Sequence, residues 1–321
     1  MQNSKSLQKS IQISKQDEVN VNPKMLRSFW PRCARSSRLT AKTAIIMRSA
    51  ERVDRVFGSS WLNTERSEDA YNATDLNVPT DLLPPSLFSY NPPITNIGKY
   101  SSQVVGRALQ NRGLAAKTIL CSPTLRSIQT ASAIAKVMNI KISIEPGLLE
   151  PLEWYRKAGS VELPNFSLET LIMYPIERNY KPIHSMEDLK KQYGTAKQAD
   201  CVSRIQMTLQ SLCGASNESA VVIVAHALTM EIASQMGTFG DRLHSSNADE
   251  ENDEEYTSYE VPDYKVHEDC PAQKLELGVK YPPGSTLGLA RCNHSPPYVF
   301  RLIDDALAPL TTTKFSTRVI L

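Results

Sequence analysis

Arg48, Glu51 and Arg52 form a charged cluster directly after a short apolar run, Thr43–Met47. This run contains two adjacent isoleucines and has the length of a buried β-strand. In open α/β sheets, ligands bind just beyond the carboxyl ends of such strands. Two guanidinium groups here favour an anion, because the arginine fork matches a carboxylate or phosphate with two hydrogen bonds. A surface turn with a local arginine–glutamate pair is the alternative that this stretch alone leaves open.

Two later apolar runs also lead to an arginine or a histidine. The run Thr118–Leu120 is followed by Arg126, and the run Val221–Ala225 ends at His226. Arg126 falls in the first turn of a predicted helix, where free backbone N–H groups already favour an anion. Taken alone, Arg126 would more often be a solvated surface arginine, and a single histidine after a strand is usually a hydrogen-bonded histidine without a special role.

Together these stretches resemble the histidine phosphatase superfamily, which has the phosphoglycerate-mutase-like fold. Within it, the greatest likeness is to the phosphatase domain of the suppressor-of-T-cell-receptor-signalling and ecdysteroid phosphatase group. That group carries Arg-His-Gly/Ala-Glu-Arg-Val-Asp after its first strand, followed by Phe-Gly and a tryptophan. The matching residues here are Arg48, Glu51, Arg52, Val53, Asp54, Phe57, Gly58 and Trp61. The motifs around Arg126 (Cys-Ser-Pro-x-x-Arg-x-x-Gln-Thr-Ala) and His226 (Val-Ala-His-Ala-x-Thr) extend the likeness over most of the chain.

The resemblance implies a role for each residue of the cluster. It implies that Glu150, in the loop after a third predicted strand, is the proton donor to the leaving oxygen. Pro151 stands where the family has a tryptophan, so Glu153 is a second candidate for the acid. An exposed loop carboxylate is the alternative for Glu150. The residues that the resemblance implies as ligands of the phosphoryl oxygens are Arg48, Arg52, Arg126 and His226.

Ser49 departs from the family at its most important position, since the family has its nucleophilic histidine there. A serine hydroxyl is a weak nucleophile at neutral pH unless a base lies beside it. Losing a nucleophile typically costs several orders of magnitude in rate. We therefore predict a pseudophosphatase, which keeps a phosphate-binding pocket but has little or no activity. Two alternatives stay open: an active protein-tyrosine or small-molecule phosphomonoesterase with an altered nucleophile, and an interaction module with a vestigial pocket.

The predicted fold is α/β, a three-layer sandwich with a mostly parallel central sheet and helices on both faces. Thr286–Ala290 and Tyr298–Leu302 are predicted to be the last strands, in an antiparallel finish. Thr95 is the predicted N-cap of the first long helix, and Ser122 the predicted cap of the next one.

The predicted organisation is one large domain, residues 41–310, with less ordered segments around it. Residues 1–40 are rich in Lys, Arg, Ser and Gln and are predicted to be a basic, mostly disordered arm. An acidic run, Asp249–Glu255, marks a predicted flexible insertion at about 241–272. Residues 311–321 are predicted to form a tail.

Composition narrows the class of protein. The formal net charge of +2 implies no whole-chain attraction to nucleic acid or a membrane surface. No apolar run reaches about 18 residues, so no membrane span is expected. The six cysteines include no Cys-x-x-Cys pair, so a zinc or redox motif has no support. Their wide spacing in a large chain favours buried free thiols over disulfides. We expect a cytoplasmic protein without cofactor or metal, whose partner is a phosphorylated small molecule or phosphoprotein. The likened group includes dimers, so a homodimer is also open.

Overall fold

The computed structural model describes residues 42–58, 61, 75–79, 88, 90–164, 171–215, 219–246, 277–303, 306–312 and 315–320. Within these residues, six strands form a single mixed sheet. They are β1 (Thr43–Arg48), β2 (Ala116–Cys121), β3 (Lys141–Ile144), β4 (Ala220–Ala225), β5 (Thr286–Arg291) and β6 (Phe300–Ile303).

The strand order is β3-β2-β4-β1-β5-β6, which places β1 and β4 at the centre. The strands β3, β2, β4 and β1 pair in parallel, and β5 runs antiparallel to both β1 and β6. In the register of the central pair, Arg48 lies opposite Ala225. The residues that follow these two strands, Ser49 and His226, therefore leave the sheet side by side at its carboxyl edge.

Helices cover both faces of the sheet, as the α/β class requires of a buried parallel sheet. The described helices are α1 (Val53–Phe57), α2 (Asn96–Asn111), α3 (Leu125–Met138), α4 (Leu152–Lys157), α5 (Met186–Gln192), α6 (Gln198–Ala215) and α7 (Ala227–Ser246). A single 3-10 turn, Pro146–Leu148, lies between β3 and α4.

The alternating side chains of β1 divide the core between the two faces. Ile45 and Met47 pack in one cluster with α2 and α3, and Ala44 and Ile46 pack in the other with α6 and α7. Every residue of β4 is buried, which explains why its sequence, Ala-Val-Val-Ile-Val-Ala, is apolar without alternation. Both faces of the central strands are therefore buried, and the polar residues that follow these strands lie at the carboxyl edge of the sheet.

The predicted fold class is confirmed, including the antiparallel finish made by β5 and β6. Thr95 caps α2 as predicted, because its side chain accepts a hydrogen bond from the Gly98 amide. The prediction for Ser122 was wrong. The following helix begins at Leu125, and the Ser122 hydroxyl is instead hydrogen-bonded to His226.

The predicted peripheral segments fall largely outside the described residues. All of the predicted basic arm, 1–40, does so, as does 247–272 of the predicted acidic insertion; α7 itself extends to Ser246. In the last segment, Thr317 is buried and the Ile320 amide donates to the Lys280 carbonyl. Residues 315–320 therefore pack against the rest of the described fold.

Candidate anion-binding site

A small cavity of about 50 Å³ opens at the carboxyl edge of the sheet, beyond β1 and β4. All six residues predicted from the sequence line it, although they come from four separate stretches of chain. Its lining comprises Arg48, Ser49, Ala50, Arg52, Arg55, Arg126, Glu150, Trp154, His226, Ala227, Leu228, Leu277 and Pro283. The predicted convergence of Arg48, Arg126 and His226 is thus present in the structure.

Arg48 and Ser49 are placed by backbone hydrogen bonds that continue the sheet. The Arg48 amide donates to the Ser285 carbonyl at 3.0 Å, and the Ser49 amide donates to the Ala225 carbonyl at 2.9 Å. The Arg48 guanidinium also donates to the backbone carbonyls of Gly278 and Tyr281. Burial lowers the pKa of Arg48 to about 10, so this arginine is charged at neutral pH.

Arg52 carries a bidentate ion pair with Asp54 along one side of its guanidinium. Its Nε and Nη2 atoms lie 2.9 and 2.6 Å from the two carboxylate oxygens of Asp54. Burial, followed by the charge of Arg126, lowers the pKa of Arg52. The pair fixes the orientation of the guanidinium in advance, which reduces the entropy lost when an anion binds.

Arg126, Glu150 and His226 lie in contact with one another, and the arginine and the histidine are buried. The Arg126 guanidinium donates to Glu150 Oε2 through Nη2, which also lies 3.3 Å from His226 Nδ1. Burial acts to lower the pKa of Arg126, but the charge of Glu150 and the contact with Tyr155 outweigh it and raise the pKa. The Tyr155 hydroxyl is a second donor to Glu150 Oε2, at 3.2 Å.

The surroundings of His226 assign its protonation state and its tautomer. Burial lowers the pKa of His226 to about 3, with a further contribution from Arg126, so the imidazole is neutral at physiological pH. An arginine N–H can only donate, so Nδ1 accepts from Arg126 and the proton lies on Nε2. Nε2 then donates to Ser122 Oγ, 2.8 Å away. Because a hydroxyl can accept or donate, the same serine can also support the tautomer that presents Nδ1–H to an anion.

The structure separates the two candidate acids. Glu150 lines the cavity, whereas Glu153 faces away and pairs with Lys157 along α4 at 2.8 Å. Pro151 follows Glu150, where the resemblance implies a tryptophan, but a tryptophan does line the cavity: Trp154, on the first turn of α4.

The charge balance of the site suits a small dianion. Four arginines line the cavity, against Glu150 and the Asp54 carboxylate that pairs with Arg52. With His226 neutral, these groups carry a net charge of plus two. Ser49 supplies a hydroxymethyl group, and the lining contains no histidine other than His226. The arrangement can bind and orient an oxyanion, but it offers no imidazole directly after Arg48 to attack it.

Sequence reasoning missed several residues that complete the site. Arg55 and Trp154 line the cavity, and Leu277 and Pro283 form a wall that comes from a segment distant in sequence. Arg55 could have been found, since it lies one helical turn after Arg52. The positions of Leu277 and Pro283 follow from tertiary packing, which no local sequence pattern indicates.

The described part of the chain supports neither a metal site nor a membrane-spanning helix. No group of three or more His, Cys, Asp or Glu side chains among these residues is arranged to hold a metal ion. None of the described helices combines the length and the apolar character needed to cross a membrane.

Comparison with known sequences points to one family. The family model of the histidine phosphatase superfamily (branch 1) matches residues 88–245, a segment that begins after β1 and the loop of Ser49. Human (Homo sapiens) ubiquitin-associated and SH3 domain-containing protein A is 29% identical over 220 residues, which cover 65% of this chain and 33% of that protein. Ecdysteroid-phosphate phosphatase of Drosophila melanogaster is 28% identical over 222 residues, covering 66% of this chain and 29% of that protein. The chain thus spans about a third of the length of these relatives.

Comparison with solved structures shows the same fold. The crystal structure of the ecdysone phosphate phosphatase of Bombyx mori in complex with tungstate superposes with a TM-score of 0.61 and 18% sequence identity. The match covers 85% of this chain and 96% of that one. The predicted resemblance to the histidine phosphatase superfamily is therefore confirmed, and the protein has a histidine phosphatase fold.

Proposed function

We propose that this protein is a pseudophosphatase that binds a phosphorylated small molecule or phosphoprotein through the cavity at Arg48. The observation that carries the proposal is the meeting of Arg48, Arg126 and His226 around one cavity in which Ser49 stands directly after the first arginine. Guanidinium groups held in place before an anion arrives are the usual basis for binding phosphoryl oxygens.

Catalysis lacks its nucleophile in this arrangement. A serine oxygen needs a base in hydrogen-bond reach, and the basic Nδ1 atom of the one histidine in the lining already accepts a hydrogen bond from Arg126. A phosphate ester on serine would also be a stable product, unlike a phosphohistidine. The remaining groups then act as a binding site: the arginines neutralise the ligand, and Glu150 adjusts the charge that faces it.

The test compares the unmodified chain with Ser49→His. The unmodified chain should be stabilised by inorganic phosphate or orthovanadate, since a ligand bound only by the native state raises the melting temperature. It should turn over para-nitrophenyl phosphate no faster than a matched blank, and Ser49→His should gain measurable turnover. Robust turnover by the unmodified chain would support the phosphomonoesterase alternative instead. Absence of any stabilisation by either anion would support the interaction-module alternative.

A further inference from the structure

A buried arginine on α6 donates hydrogen bonds to the backbone of the loop that carries Glu150. Arg204 is 7% exposed, and its Nε lies 3.2 Å from the Gly147 carbonyl oxygen. Its Nη2 lies 2.5 Å from the Leu149 carbonyl and 3.5 Å from that of Glu150. Arg204 does not line the cavity, so its contact with the site runs through the backbone of this loop.

The loop needs such a partner because it lies outside the sheet. Between the end of β3 and the start of α4, the chain forms one 3-10 turn, so most of its carbonyls have no ladder partner. A buried carbonyl without a donor costs free energy comparable to a lost hydrogen bond. An arginine fork presents several donors in one plane, and it can therefore satisfy neighbouring carbonyls with a single side chain.

The start of the same loop is fixed independently of Arg204. The buried carboxylate of Glu145 accepts hydrogen bonds from the Gly147, Ile183 and His184 amides and from the Tyr180 hydroxyl. These contacts hold the residues that precede the turn. Arg204 acts at the other end, on the carbonyls of Leu149 and Glu150, next to the carboxylate that faces the cavity.

We propose that Arg204 is a positioning residue that holds the Glu150 carboxylate against Arg126 and thereby limits the affinity of the cavity for phosphate. The proposal rests on the proposed phosphate-binding function. In its ion pair with Arg126, Glu150 occupies a donor that a bound phosphate would need. The negative charge of Glu150 also repels the ligand. When the loop is released, Glu150 leaves Arg126 more easily, and phosphate binds more tightly.

The first experiment needs no ligand. Hydrogen exchange of the Leu148 and Leu149 amides, relative to those of β4, is compared in the unmodified chain and in Arg204→Lys. Lysine keeps the charge but lacks the fork. The matched control is Arg291→Lys. Arg291 is similarly buried and its side chain also donates to a backbone carbonyl, that of Gly214. Its own amide donates to the Lys42 carbonyl just before β1, and Arg291 does not line the cavity.

We expect exchange of the two loop amides to accelerate at least about tenfold in Arg204→Lys and not in the Arg291 control. Unchanged exchange in Arg204→Lys would overturn the positioning role, whether or not the protein binds phosphate. If Arg204→Lys does not fold, Arg204→Gln takes its place, since the glutamine amide can still donate to a loop carbonyl but lacks the arginine fork.

The second experiment asks whether the effect passes through Glu150. Titration calorimetry with inorganic phosphate at neutral pH should show about threefold to tenfold tighter binding by Arg204→Lys, and no change in the Arg291 control. In a Glu150→Gln background the Arg204 substitution should have no further effect. A gain that persists in that background, or weaker binding by Arg204→Lys, would overturn the inference. If the unmodified chain shows no phosphate binding, the proposed function fails, and the exchange experiment alone decides the role of Arg204.

Discussion

Replacing Glu150 by glutamine should strengthen phosphate binding, although this residue is the candidate acid of the site. The Glu150 carboxylate is paired with Arg126, and its second oxygen lies 3.8 Å from His226 Nδ1. An anion that binds to these two side chains must therefore sit beside a negative charge. Glutamine keeps the shape and an acceptor for Arg126 but removes that charge.

The magnitude follows from Coulomb's law. Two unit charges about 5 Å apart interact by about 3 kcal/mol at the effective dielectric constant of about 20 that suits partly buried sites. This is about a hundredfold in affinity. The side chain of Glu150 is 16% exposed, so solvent screens part of the repulsion, and we expect a gain of at least about tenfold.

The assay is titration calorimetry with sulfate, which remains a dianion across the neutral range and so isolates the charge of the protein. Glu153→Gln is the matched control, because Glu153 is three residues away, pairs with Lys157 and does not line the cavity. Sulfate affinity that is equal or weaker in Glu150→Gln than in the unmodified chain would refute the reasoning, as would an equal gain in the Glu153 control.

Three further predictions test other parts of the site. His226→Gln should make the free energy of unfolding depend less on pH in the acid range. Burial lowers the pKa of native His226 to about 3, whereas the unfolded chain takes up a proton on this residue below about pH 6.5. The contribution of His226 to the free energy of unfolding therefore falls as pH decreases through this window, by at most about 1.4 kcal/mol per pH unit. Chemical denaturation between pH 7 and pH 4 measures this slope, and an unchanged slope would contradict it. Arg126→Met should abolish the phosphate-induced rise in melting temperature and destabilise the protein measured without phosphate, because it removes the buried guanidinium that pairs with the Glu150 carboxylate; a rise equal to that of the unmodified chain would contradict it. Gly147→Ala should cost about 1–3 kcal/mol in a urea titration, since its methyl group would lie 2.5 Å from Thr208 Oγ1 and 2.6 Å from His184 Cδ2, and an unchanged midpoint would show that these neighbours move freely.

The residues of the cavity could be predicted because each follows a strongly apolar strand. The runs that became β1 and β4 are short, bounded and almost wholly apolar, so the positions of Arg48 and His226 at their ends followed from the sequence. A parallel sheet then brings strand ends together even when they are far apart in the chain. Arg126 joined them because the helix after β2 begins at the same edge.

The interactions among these residues could not be predicted in the same way. Ser122 has the residue type of a helix cap, yet its hydroxyl bonds to a histidine more than a hundred residues later. Arg204 belongs to no motif of the sequence, and its contacts depend on how α6 packs against the loop before α4. Such contacts are set by tertiary packing, which local periodicity does not encode.

The most direct measurement is a crystal structure of the purified chain soaked with tungstate, whose anomalous signal locates the anion without ambiguity. We predict tungstate in the cavity at the carboxyl edge of β1 and β4, within hydrogen-bond distance of Arg48, Arg126 and His226, and without a covalent bond to Ser49. Tungstate found only outside this cavity, or bound covalently to the Ser49 oxygen, would contradict an anion site that has lost its nucleophile.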